Sequence, residues 1–173
     1  MGNKRKWIEK NGKNKAVKLK TVIYDPKLTV TLPAEMTVTS GMNAIAHCVE
    51  VLYAENANPV TTLLAEEGIR VLYESLPEIL AEPTNVHARS KALYGTWLGG
   101  TVLGSVGMAL HHKICHILGG SYNLPHGPTH TVILPYALSY NASYAQVAVK
   151  AIAREIHCEE DDVAGTIFDF LNS

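Results

Sequence analysis

The residues predict an all-helical domain, a helical bundle with one short strand at its N-terminal end. Three observations carry that reading. Apolar side chains recur at three- and four-residue spacing from about residue 41 onward. Pro, Gly and Asn punctuate the chain at helix-length intervals. Alternation of the β type is confined to residues 21–24, Thr-Val-Ile-Tyr, closed by Asp25-Pro26.

The elements follow in order. Thr39 or Ser40 is the expected N-cap of a helix over 41–53, with Met42, Ile45, Val49 and Leu52 on one face. Asn58-Pro59 opens a second helix over 60–76, expected to stop at Pro77. A third covers 85–104, where Gly99-Gly100 permits close helix contact or a break, and a fourth covers 105–118, expected to stop at Gly119-Gly120. After a loop over 121–127 come helices over 128–140, 144–157 and 159–170. No repeat or low-complexity stretch interrupts them. The strand at 21–24 has no partner strand in the chain, which suggests descent from a larger sheet-containing protein.

With 173 residues, 47% of them apolar, one globular unit is expected. The formal charge is −1, yet residues 1–20 hold eight of the 15 Lys and Arg and only one acid, Glu9. That stretch reads as a basic, flexible leader ahead of a domain over 21–173. Neither nucleic acid nor membrane is an expected partner, because no run approaches the ~18 apolar residues of a membrane span and no apolar signal core follows the basic start. Cys48, Cys115 and Cys158 lack a CxxC spacing. They read as reduced thiols among apolar neighbours, and a cytoplasmic location is the expectation.

Chemistry concentrates in histidine. Five of the eight, His111, His112, His116, His126 and His130, fall within twenty positions. His112 and His116 are one helical turn apart and share a face, as do His126 and His130 on the following helix. His111 is rotated by about 100° from the first pair and is expected to point elsewhere. Asn43 and His47 form a third pair of the same spacing. Imidazoles converging from separate helices suit a divalent metal, and equally suit acid and base work near neutral pH.

The order Val22-Ile-Tyr-Asp-Pro26, Thr39-Ser-Gly-Met-Asn-Ala-Ile-Ala-His47, Gly107-Met-Ala-Leu-His-His-Lys-Ile-Cys-His116-Ile-Leu-Gly-Gly120 and Leu124-Pro-His126 resembles the maleylacetate reductase branch of the iron-containing alcohol dehydrogenases. The likeness covers about residues 21 to beyond 141. In metal-dependent members an Asp, a His one turn later and two further His hold the cation, at the positions of Asn43, His47, His112 and His126. The resemblance thus implies His47, His112 and His126 as metal ligands if any. Asn43 departs from the pattern, since a neutral amide oxygen is a weaker ligand than a carboxylate, and disfavours an obligatory iron or zinc. Tyr136 departs too, where relatives commonly show His.

The resemblance further implies reduction of a small unsaturated keto acid or carbonyl by NAD(P)H. His116 and His112 are the expected acid and orienting groups, Lys113 a carboxylate-attracting neighbour, and Asn43, His47, His126 and His130 the remaining pocket. No GxGxxG turn follows a strand, so no cofactor-binding residues are assigned. The family's N-terminal dinucleotide-binding half is expected to be absent and its final helices cut short. The isolated chain is then expected to need no cofactor of its own. A small anionic substrate, a separate nucleotide-binding chain and further copies of the chain are the expected partners. Two other readings stand beside this one: a cofactor-independent acid/base enzyme (isomerase, dehydratase or cyclase) reusing the histidines, and a non-catalytic binding or assembly module.

Overall fold

The computed structural model describes residues 21–172; the basic leader lies outside the described residues. Among the described residues a 3-10 turn at Pro26–Thr29 is followed by seven α-helices: α1 (Ala34–Leu52), α2 (Pro59–Ala81), α3 (Val86–Leu103), α4 (Leu110–Tyr122), α5 (His126–Asn141), α6 (Gln146–Ile156) and α7 (Val163–Asn172), the last preceded by a further 3-10 turn, Glu160–Asp162. The all-helical class is as the sequence predicts. The strand is not: residues 21–25 carry no regular structure, and among the described residues no strand lies alongside to complete a hydrogen-bonded ladder.

Helix α1 is the spine. It packs against α2, α3, α5 and α6, and α4 reaches the body through α5. Met42, Ile45, Ala46, Cys48 and Val49 of α1 are buried against Ile69, Leu72, Leu76 and Ile79 of α2, each large side chain contributing about 1.5–3 kcal/mol. Gly99 lets α3 cross α1 closely. A Cβ there would stand 3.0 Å from the Ala44 carbonyl oxygen, whereas one at Gly100 would meet nothing within 4 Å. The glycine pair therefore serves contact, and the helix does not break.

Several helix ends differ from the sequence expectation, each for a local reason. α1 begins at Ala34, and Thr39 lies inside it, its hydroxyl donating to the Glu35 carbonyl at 3.0 Å. α2 opens at Asn58-Pro59 as expected, and Asn58 caps it in a reciprocal capping box with Thr61. Pro77 does not stop α2; it lies on the exposed face, where water can reach the carbonyl it leaves unbonded. α4 starts five residues later than predicted and runs through Gly119-Gly120 to a left-handed Asn123 (φ 54°), a conformation Asn tolerates. Its start is fixed by an acceptor 59 positions upstream, Glu50, whose Oε2 takes the Ala109 N–H at 2.9 Å.

Candidate functional site

Three helices deliver the imidazoles. α1 brings His47, α4 brings His111, His112 and His116, and α5 brings His126 and His130. The His47 and His112 rings stack at 4.7 Å between centroids. His112 lies 6.2 Å from His116, His116 6.3 Å from His126, and His126 4.1 Å from His130. His130 closes the set, 4.8 Å from His112 and 5.0 Å from His111. The cluster has depth: His111, His112 and His130 are buried, His47 is half-buried, and His116 and His126 are exposed at the mouth.

His111 corrects the sequence expectation. The face 100° away from His112 opens onto α5 rather than solvent, so the His111 ring is fully buried there. Its Nε2–H donates to the His130 carbonyl at 2.9 Å, and its Nδ1 lies 3.3 Å from His112 Nδ1. Lys113 goes the other way. It is exposed, and none of the ion pairs among the described residues includes it.

Glu50 is the participant that sequence reasoning missed. It is 2% exposed, and its Oε2 accepts from His112 Nδ1 at 2.7 Å. A signal was available: Glu50 is the single acid of the apolar stretch 41–52 and stands three residues after His47, on the same helical face. Burial pushes its carboxyl up, but the hydrogen bonds from His112 and Ala109 and the attraction of neighbouring imidazoles outweigh this and hold it below the usual range.

Burial keeps three of the rings, His47, His111 and His130, neutral. Burial, followed by repulsion from His112 and His111, lowers His47 to about 3. Burial and then repulsion from His126 lower His130 to about 3, and burial lowers His111 despite its bond to the His130 carbonyl. Neutral imidazoles are lone-pair donors and bases. Among the described residues, Asn43 Oδ1, His112 Nε2 and both ring nitrogens of His130 are buried without a hydrogen-bond partner. Buried polar atoms of native proteins are seldom left so, and a water, an ion or a ligand atom can complete such a cluster. A cleft of about 690 Å³, lined by Tyr24, Tyr94, Trp97 and neighbours on α3, contains no histidine and is separate from this cluster.

The cluster presents several donors of the kind that bind a divalent cation. Asn43 Oδ1 and His112 Nε2 are bare, and ligand atoms of His111, His112 and His130 lie within 4.8 Å of one another. In donor type and number the residues fit such an ion. In charge they are poor, because the one carboxylate in the cluster, Glu50, faces the far nitrogen of His112.

Six imidazoles and an amide brought together by three helices define a helical domain with a histidine-rich centre. Comparison narrows the class: residues 37–172 match the C-terminal domain model of the Fe-containing alcohol dehydrogenase family, and the chain belongs to that family. It is 55% identical over 149 residues to the maleylacetate reductase of Burkholderia cepacia, covering 86% of this chain and 42% of that enzyme. The crystal structure of maleylacetate reductase from Rhizobium sp. strain MTP-10005 superposes with a TM-score of 0.81 at 44% identity, over 86% of this chain and 43% of that one. The iron-containing alcohol dehydrogenase of Corynebacterium glutamicum gives 0.82 at 43% identity, over 89% and 44%. The chain thus spans less than half the length of the relatives it matches. No described helix is long and apolar enough to cross a membrane.

Proposed function

We propose that this chain is the substrate-side domain of a maleylacetate reductase-type oxidoreductase, acting on a small unsaturated keto acid or related carbonyl compound. The observation that carries it is the convergence of His47, His112, His116, His126 and His130 on one site, in a chain 55% identical to a maleylacetate reductase. That identity favours this reading over a cofactor-free isomerase or an assembly module. The family uses a nicotinamide dinucleotide and iron. The described residues contain no glycine-rich strand-to-helix turn to seat a dinucleotide, so the chemistry assigned to this chain is the handling of protons and charge.

His116, exposed at the mouth, is the proton donor to the carbon that becomes saturated, and His112, on the buried floor, orients the substrate by accepting a hydrogen bond from its enol or hydroxyl group. His47, His130 and His126 surround the developing enolate or alkoxide with fixed N–H donors, the arrangement that lowers such barriers most, and Asn43 lines the same place. α5 opens at His126 without a side-chain cap, directing the positive end of its dipole at the same place. Lys113 attracts the substrate carboxylate from outside. Iron or zinc, when bound, would be held by Asn43, His47, His112 and His126 and would polarise a substrate oxygen. None of the four is a carboxylate, which makes the set a weak one for a divalent ion and leaves the proton chemistry to the imidazoles.

Calorimetric titration tests the reading. Maleate, as a small unsaturated dicarboxylate, binds without dinucleotide, survives exhaustive chelation with its affinity unchanged, and is weakened by His116→Ala. Tight NADH binding with no maleate binding would contradict the reading, and loss of maleate binding on chelation would overturn its metal-independent part.

A further inference from the structure

One carboxylate lies within the imidazole cluster, and it addresses a single ring. Glu50 and His112 are each 2% exposed. Oε2 of Glu50 accepts from His112 Nδ1 at 2.7 Å and from the Ala109 backbone N–H at 2.9 Å, while Oε1 stands 3.4 Å from the His112 backbone N–H. α4 has no side-chain cap of its own. Glu50 supplies one from α1, and the positive end of the α4 dipole in turn favours its carboxylate. Two of its three contacts are to the helix end and one is to the ring. A cap alone would not need the ring contact, which is the shortest of the three.

That contact has a chemical consequence. A carboxylate only accepts, so His112 Nδ1 carries the hydrogen of that bond, and in the singly protonated ring the lone pair is on Nε2. The free side chain has no such constraint and distributes its proton over both nitrogens. Nε2 is one of the buried atoms without a partner, as is Asn43 Oδ1. The ring is also clamped from the side by stacking on His47 at 4.7 Å, so its plane as well as its tautomer is determined.

We propose that Glu50 is a positioning residue that acts through His112, holding the ring's rotation and keeping its proton on Nδ1 so that Nε2 meets the substrate as an acceptor. The inference rests on the reading of the imidazole cluster as the substrate site. It assigns Glu50 no contact with substrate. Its role is to make one end of His112 predictable, as outer carboxylates do for imidazoles at other sites.

The test is the tautomer itself, which a purely capping role would not move. In the full chain labelled with ¹⁵N-histidine, long-range ¹H–¹⁵N correlation distinguishes the protonated from the bare ring nitrogen, and His112→Gln identifies the signal. Wild type shows His112 protonated on Nδ1. Glu50→Gln keeps that tautomer, because the Ala109 N–H orients the amide oxygen toward the ring. Glu50→Ala, folded by circular dichroism, loses the single tautomer and weakens maleate by the roughly 10- to 100-fold typical of an imidazole deprived of its outer partner. Should Glu50→Ala fail to fold, Glu50→Asp, which withdraws the carboxylate by one methylene, shows the same loss. A wild-type His112 protonated on Nε2, or an unchanged tautomer in folded Glu50→Ala or Glu50→Asp, overturns the proposal. If the tautomer responds as stated while maleate fails to bind wild type, the Glu50–His112 coupling is supported and the substrate-site reading falls separately.

Discussion

Arg89 offers a quantitative test of how the site's main helix is held. The residue lies in the first turn of α3 and is 1% exposed. Its Nε–H donates to the Pro83 carbonyl at 2.6 Å, Nη2–H to the Leu32 carbonyl at 2.9 Å and Nη1–H to the Thr37 hydroxyl at 3.3 Å. Leu32 and Thr37 flank the start of α1, the helix that carries Asn43, His47 and Glu50, so the guanidinium ties that start to α3. Arg89→Ala removes two short charge-assisted bonds, each worth about 1.5–3 kcal/mol. The Pro83 carbonyl lies in an exposed loop and can recover water, which argues against the top of the range and for a loss of about 3–5 kcal/mol. For a chain near this length that is a fall in Tm of roughly 6–20 °C. Arg89→Lys recovers little, because an ammonium cannot span three divergent acceptors. Urea unfolding followed by circular dichroism measures both. A loss under about 1 kcal/mol for Arg89→Ala would show that the guanidinium does not secure α1.

Two further outcomes follow from burial. Burial pushes the Cys48 thiol up to about 12, and burial with the nearby Glu50 charge pushes Cys115 up to about 11, while Cys158 is only partly buried. An aromatic disulfide reagent at pH 8 therefore labels Cys158 first and Cys48 only in urea, and three thiols reacting at one rate in the native protein would contradict the packing. Acid acts through the inner rings. His47 and His130 sit at about 3 when folded against 6.5 ordinarily, so below 6.5 the unfolded chain binds protons that the folded one refuses. Stability is then greatest above pH 6.5 and declines from there toward pH 3, with Glu50 adding to the loss below its ordinary 4.5. His130→Gln flattens the decline; a urea midpoint that rises from pH 7 to pH 5 would refute the assignment of neutral rings.

Local chemistry made much of this molecule legible. The Asn58 cap, the helical spacing of Met42, Ile45 and Val49, and the pairing of His112 with His116 are all short-range features, and each lies where its spacing places it. What escaped depends on groups distant in sequence. The start of α4 is set by Glu50, the burial of His111 by the carbonyl of His130, and the tolerance of Pro77 by which face of α2 meets water. Gly119-Gly120 has the composition of a helix stop, but the turn is made by Asn123 instead. Glu50 was the costliest omission for function, since an acid in an apolar run reads as an anomaly until its partner, 62 positions away, is known.

The proposed function requires imidazoles from α1, α4 and α5 to meet one bound substrate. Titration of the ¹⁵N-histidine-labelled chain with maleate, following every ring signal, addresses that directly. Signals of His47, His112, His116, His126 and His130 moving along one saturation curve, with the exposed His87 and His157 unmoved, is the predicted result. Cluster signals that stay fixed, or that saturate at unrelated concentrations, would contradict it.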